Sequence, residues 1–124
     1  MEKLVTTKNI KIVFNVLLIL IIIFSMLICV SLVTYNIDKQ RTLNGETPKF
    51  IISKNCMNDG GTVIYYGLGY QIIKWKQFPG NYGEPLDDDI VGYYYIGIEF
   101  HYLFNMIDPM QGPSIELDFV HLNN

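Results

Sequence analysis

DGGTVIYYGLGYQIIKW, residues 59–75, is the stretch of sequence that decides the fold. β-Branched and aromatic residues, which favour strands, lie between four glycines. Its Asp59-Gly60 pair is a strong signal for a two-residue hairpin turn, in which both turn residues take positive φ. Such a turn predicts two antiparallel strands in which Cys56 faces Val63.

The same register assigns a partner to each glycine further along the stretch. Ile52 is predicted to face Gly67, and Phe50 to face Gly69, so that large side chains cover the bare backbone. Residues 62–75 are predicted to form one strand, and we expect a bend or bulge at the glycines because strands usually run to about 3–10 residues.

We predict that the special residues of this stretch serve the backbone and bind no ligand. A third glycine and a following helix, which a dinucleotide-binding fingerprint requires, are absent, and no GK[ST] follows as in a phosphate-binding loop. No cofactor is therefore predicted. The residues given this structural role are Asp59, Gly60, Gly61, Gly67 and Gly69.

Residues 12–37 form an apolar run of 26 residues without a charged side chain. As a helix the run is roughly 39 Å long, against a hydrocarbon core of about 30 Å, and it is predicted to be a single transmembrane helix. The run is longer than the apolar part of a signal peptide, and the chain has no alanine for a typical cleavage site. An uncleaved anchor is thus favoured over a signal peptide. A lipoprotein is also disfavoured, because bulky Ile28 precedes Cys29.

The charges on the two sides of the run predict its orientation. Residues 1–11 contain three lysines and one glutamate, whereas from residue 36 onward there are six basic and eleven acidic residues. A basic head before a long apolar run favours the head inside and the acidic part outside the cell membrane. An acidic domain outside the cell is a poor candidate for binding nucleic acid, so none is predicted as a partner.

The organisation that follows is one N-terminal transmembrane α-helix and a small, mainly antiparallel β domain, either a sheet or a small barrel. The predicted parts are a basic cytoplasmic head (1–11), the transmembrane helix (12–37), a polar juxtamembrane stalk (38–47) and an extracytoplasmic β domain (48–124). Four stretches of the last part have the composition or the alternation of strands: 50–53, 62–75, 90–104 and 114–122.

The motif DGGTVIYYGLGYQII, placed after a membrane helix and a short apolar strand with a cysteine, resembles a group of small membrane-anchored proteins of low-GC Gram-positive bacteria. Their common core is similar to DGGT..YYGLGY.II, and the likeness covers about 30 residues. The resemblance implies a location at the membrane and a small extracytoplasmic domain. It implies no catalytic residue.

Side chains able to do chemistry are few, and no catalytic residue and no metal site are predicted. His101 and His121 lie in predicted strands without the spacing of a zinc motif, and the acidic run 87–89 lacks the alternation of a calcium loop. The run is interpreted as solvated loop charge, with a weak calcium contact as the alternative. Cys56 is interpreted as a small buried residue and, because Cys29 lies in the apolar run, no disulfide is predicted.

Tyrosine is the unusual resource of this domain. Neighbouring residues of a strand point to opposite faces, so consecutive tyrosines must occupy both faces of the sheet. The possible interaction surface consists of Tyr65, Tyr66, Tyr70, Tyr93, Tyr94 and Tyr95.

The function predicted from these features is a membrane-tethered binding or accessory domain that contacts an envelope protein or another cell-surface component. The alternative is a small cell-envelope enzyme that uses His101 with a nearby carboxylate. A membrane-active peptide is disfavoured because 77 residues, 48–124, follow the predicted stalk.

Overall fold

The computed structural model describes residues 2–80, apart from the side chain of Leu4, and residues 88–122. Its first element is the helix α1, Glu2–Leu43. By length and composition α1 is able to cross a membrane, and its large apolar side chains are exposed. The chain forms two compact units, Met1–Val33 and Thr34–Asn124.

The second unit contains the end of α1 and one five-stranded antiparallel sheet, which confirms the predicted fold class. The strands lie side by side in chain order, so each pairs with the strand before it. They are β1 (Ser53–Cys56), β2 (Val63–Tyr66), β3 (Tyr70–Gln77), β4 (Tyr93–Tyr102) and β5 (Asp118–His121).

The first hairpin has the predicted register but a wider turn. Cys56 faces Val63, and the Met57 amide donates to the Thr62 carbonyl at 2.9 Å. The positive φ angles fall on Gly60 and Gly61, at 128° and 135°, and the prediction of a positive φ for Asp59 was wrong. The reason lies in the Asp59 side chain, whose carboxylate accepts from the amide and the hydroxyl of Thr62 at 3.1 and 2.6 Å. This local bond accompanies a four-residue turn, residues 58–61, in place of the predicted two-residue turn.

Residues 62–75 are two strands and not one. Leu68 and Gly69 make a tight turn between β2 and β3, in which Gly69 has a φ of 77° and the Gly67 amide donates to the Tyr70 carbonyl at 3.0 Å. Gly69 therefore lies in the turn, and the prediction that it faces Phe50 was wrong. Glycine tolerates the positive φ of this turn at little cost, so the chain reverses where a bend was expected.

Gly67 has a different cover from the predicted Ile52. A Cβ atom built on Gly67 would overlap the ring of Tyr70, three residues later in the chain. The missing side chain thus makes room for an aromatic ring of the following strand.

The sheet has two faces with separate cores. On the covered face, Ile64, Ile73 and Trp75 are buried beneath the segment 103–117, from which Ile107 and Leu117 pack against them. On the open face, Tyr65, Tyr70 and Ile72 are buried, and they pack against Tyr35 of α1 and Ile51. Alternation along the strands assigns every other residue to each face.

The region predicted as a polar stalk is structured. Residues 38–43 continue α1 to Leu43, and Asp38 and Thr42 are buried. The predicted 114–122 strand is also shorter than expected, because β5 begins at Asp118. Ile115 and Leu117 instead lie over Gly97 on the covered face.

Candidate functional site

A surface groove lies on the open face, beside the part on which Tyr35 and Ile51 pack. Its volume is about 580 Å³, within the range of ligand-binding sites. Side chains from four neighbouring strands, β2 to β5, line the groove, because every second residue of each strand points to this face. They are Val63, Tyr65, Lys74, Lys76, Ile96, Ile98 and Asp118.

Lysines give this groove a local positive charge in a domain that is acidic as a whole. Lys74 and Lys76 are two residues apart on the central strand β3, so both point into the groove. The Lys76 Nζ lies 4.6 Å from the ring centroid of Tyr94. The Lys74 side chain forms no ion pair or hydrogen bond within the part of the chain that the structure describes. Its charge is available to a ligand.

Lys54 extends the basic surface on the same face. It lies on β1 opposite Tyr65, and its Nζ is 5.9 Å from the centroid of that ring. Asp118, opposite Ile96, is the acidic residue of the groove lining. The groove combines an apolar floor of valine, isoleucine and tyrosine with a mainly basic rim.

The predicted tyrosine surface is divided between the two faces. Tyr65 and Tyr70 are buried, with exposures of 7% and 0%, so little of either ring is accessible on the surface. Both fill the core of the open face because a two-layer domain of this size needs large apolar side chains. Tyr66, Tyr93 and Tyr95 lie on the covered face, whereas Tyr94 lies beside the groove on the open face and Tyr65 forms part of the groove lining.

Tyr93 and Tyr95 belong to an aromatic cluster away from the groove. Both rings lie 5.0 Å from the ring of Phe119, and His121 meets the Tyr93 ring edge-on at 4.9 Å. Tyr95 remains 40% exposed. The cluster joins side chains of β4 and β5, and β5 itself has only four residues.

Asp38 and Tyr70 form a buried polar contact between the end of α1 and the sheet. The Tyr70 hydroxyl donates to Asp38 Oδ2 at 2.5 Å, and the amides of Lys49 and Phe50 donate to the same carboxylate. Burial raises the pKa of Tyr70, and the hydrogen bond and negative charge of Asp38 raise it further. These contacts are all within the second unit, so the pair holds the end of α1 against the sheet.

His101 does lie beside a carboxylate, as the enzyme alternative requires, but that carboxylate is fully engaged. Glu99 Oε2 is 2.8 Å from His101 Nε2, and Glu99 Oε1 accepts from the amides of Ser114 and Ile115 at 2.5 and 3.0 Å. Glu99 is only 2% exposed. Burial acts to raise its pKa, but the hydrogen bonds from His101, Ser114 and Ile115 outweigh burial and lower it.

The Glu99 contacts hold the segment 103–117 on the covered face, together with Gln71. The Gln71 side chain donates to the Ile107 carbonyl at 3.0 Å and accepts from the Ile107 amide at 3.2 Å. A carboxylate with three donors and a lowered pKa is a weak general base. The geometry therefore favours a structural role for Glu99 and His101.

The other reactive side chains do not join His101. Cys56 lies on edge strand β1, and the register assigns it to the open face, opposite to His101. The prediction that Cys56 is buried was wrong, because an edge strand leaves its side chain exposed. His121 lies on β5 and pairs with Tyr93, which is at the other end of β4 from His101.

The acidic run is only partly within the structure. Asp88 and Asp89 are exposed in a 3₁₀ turn, Asp88–Ile90, and Asp87 lies outside the described residues. Among the residues that the structure describes, no three histidine, cysteine or acidic side chains come together as metal ligands would.

Comparison with known proteins gives no match: no protein-family model, no curated protein and no solved structure corresponds to this chain. The resemblance of residues 59–73 to small membrane-anchored proteins stays a prediction.

Sequence reasoning missed the groove, although one signal for it was present. Lys74 and Lys76 alternate with Trp75 and Ile73 in a central strand, and a charged residue at every second position indicates that one face is open to solvent. The apolar residues of this stretch predict a strand, but they do not indicate which of its faces is open.

Proposed function

We propose that this chain is a membrane-tethered binding domain outside the cell, and that the open-face groove is its binding surface. The apolar helix α1 and the basic head support the tether and its orientation. The observation that carries the binding role is the pair of lysines, Lys74 and Lys76, that rim an apolar groove at the centre of the sheet.

The chemistry of the groove indicates the class of partner. Its floor of Val63, Ile96 and Ile98 favours an apolar group, and the basic rim favours an anionic group beside it. In an acidic domain a local basic site also steers an anionic partner to one place on the surface. We propose as partner an envelope protein or cell-surface component that presents an acidic group next to an apolar one.

The proposal is tested by crosslinking from the groove in cells that produce the full-length chain. Ile96 is replaced by a photoreactive phenylalanine analogue, and the matched control carries the analogue at Asn55, which is exposed on the covered face of β1. A covalent adduct that forms from position 96 and not from position 55 is expected.

Charge variants of the protein with the photoreactive group at position 96 test the role of the lysine. Lys74→Glu is expected to abolish most of the adduct, whereas Lys74→Arg retains it because the charge is kept. Absence of an adduct from position 96, or an adduct unchanged by Lys74→Glu, would contradict a binding role for the groove. Equal thermal unfolding midpoints of the two variants confirm that folding is not the cause.

A further inference from the structure

We propose that one end of the sheet rests on the lipid surface through an apolar rim formed by Ile52, Leu68, Leu103 and Phe104. This inference goes beyond the groove and rests on the proposed membrane tether. The partner is the interfacial layer of the bilayer that α1 crosses.

The rim consists of apolar side chains that the domain leaves exposed. Phe104 is 100% exposed, Ile52 71%, Leu103 43% and Leu68 37%. A single exposed leucine needs no explanation, but a fully exposed phenylalanine beside three further aliphatic side chains indicates a contact surface.

Backbone hydrogen bonds place all four residues at the same end of the sheet. The Leu103 amide donates to the Gly69 carbonyl at 2.7 Å, which ties the loop after β4 to the turn that contains Leu68. The Ile52 amide donates to the Tyr66 carbonyl at 2.8 Å, just before that turn. Leu103 has a φ of 53°, a conformation that leucine rarely takes. This turn of the backbone accompanies the full exposure of Phe104.

Contacts inside the second unit show which end of the sheet this is. Tyr35 of α1 lies 5.1 Å from the ring of Tyr102, and the Lys39 Nζ lies 5.2 Å from the ring of Phe100. Going back along α1 from residue 39 to 35 therefore corresponds to going forward along β4 from residue 100 to 102. Leu103 and Phe104 continue in the direction that leads back along α1 to Thr34, where this unit begins.

The residues around this end are those found where proteins meet the membrane surface. The rings of Tyr35 and Tyr102 lie 5.1 Å apart, and the Lys39 Nζ lies 5.9 Å from the centroid of the Tyr35 ring. Aromatic rings and lysines are enriched at bilayer interfaces. Covalent continuity with the apolar run keeps a lipid surface within reach, so lipid is a more economical occupant than a second copy or another protein.

Spin labelling of the full-length protein in phospholipid nanodiscs tests the proposal. In a Cys29→Ala, Cys56→Ser background, the label is attached to Phe104→Cys or to Ile52→Cys. The matched control is Val91→Cys, which is 55% exposed in the turn before β4, at the other end of that strand. Collision of each label with oxygen, which concentrates in lipid, is compared with collision with a water-soluble nickel complex.

Labels at 104 and 52 are expected to favour oxygen, and the label at 91 to favour the nickel complex. Labels at 104 and 52 that behave like the label at 91 would overturn the rim proposal, as would labels shielded from both reagents by protein. Spin–spin broadening at 104 would instead indicate a second copy and also overturn it. Recovery of the protein in the nanodiscs reports the tether by itself, so a failed rim is distinguished from a failed anchor, which would overturn both.

Discussion

Glu99 illustrates how one buried residue determines what a whole segment does. Glu99 is the carboxylate beside His101 that the enzyme alternative requires, but two of its three hydrogen bonds hold residues 114 and 115 against the sheet, and the third joins it to His101. A buried charge is stable only when it is well solvated by donors, and these donors come from the chain's own backbone and from His101.

Acid is expected to unfold the domain partly through Glu99. Its pKa is lowered in the folded protein, so the unfolded chain takes up the proton first as the pH falls. The stability that Glu99 contributes is present above the ordinary glutamate pKa of about 4.3 and is lost as the pH falls through the folded pKa.

Glu99→Gln should therefore lower the free energy of unfolding at pH 7 and reduce its dependence on acid, measured by urea unfolding at several pH values. Glu116→Gln, at an exposed position, is the control and should leave both unchanged. An unaltered acid dependence in Glu99→Gln would contradict the structural role.

The stability that Tyr70 contributes is expected to show the opposite dependence, with a loss at high pH. Its pKa is raised in the folded protein, so its contribution is present below the ordinary tyrosine pKa of about 10 and is lost as the pH rises through the folded pKa. Tyr70→Phe removes a donor from buried Asp38 and should cost about 1–3 kcal/mol at pH 7. The variant should also lose less stability than the wild type above pH ~10. Tyr95→Phe, at an exposed position, is the control; equal alkaline curves for Tyr70→Phe and the wild type would refute the argument.

At the scale of the element, the β2–β3 hairpin depends on the absence of a side chain at Gly67, because the Tyr70 ring occupies the space that a Cβ would need. Gly67→Ala places a methyl group where the Tyr70 ring lies and should cost about 1–3 kcal/mol as overpacking. The positive φ of Gly112, by contrast, has no neighbouring atom within reach of a Cβ, so Gly112→Ala tests backbone strain alone.

A double-mutant cycle separates the two causes. Gly67→Ala should cost less in a Tyr70→Leu background, with a coupling of about 0.5–3 kcal/mol, because the clashing ring is gone. Gly112→Ala and Tyr70→Leu should be additive. Strict additivity for Gly67 and Tyr70 in chemical unfolding would show that the ring is not what requires glycine.

The elements that were predicted correctly from the sequence are those that depend on residues close together in the chain. Alternation in 90–104 and the Asp59-Gly60 signal led to β4 and to the correct β1–β2 register, since both rest on local geometry. The structural role of Asp38 was missed because polar residues after an apolar run are typical of a stalk. Its partner Tyr70 is 32 positions away. No local pattern contains such a pair. The groove is built from four strands, and the alternation of Lys74 and Lys76 marks only one of them.

At the scale of the whole molecule, Cys56 reports on which side of the membrane the sheet lies. Cys56 is exposed in the folded domain, and Cys29 lies within the apolar run. A membrane-impermeant maleimide added to intact cells should therefore label the protein at Cys56 without unfolding. Cys56→Ser should abolish the labelling, and Cys29→Ser should not. Labelling that requires broken cells would reverse the proposed orientation.

The order of the strands has a consequence for how the domain is made. Because every strand pairs with its predecessor, each step of assembly closes only a short stretch of chain, at a small entropic cost, as the polypeptide emerges during synthesis. The segment 103–117 is made late, and until it arrives Ile73 and Trp75 lack their cover. A chain that ends prematurely after β4 would thus present a bare apolar face, which is the feature that quality-control proteases and chaperones recognise.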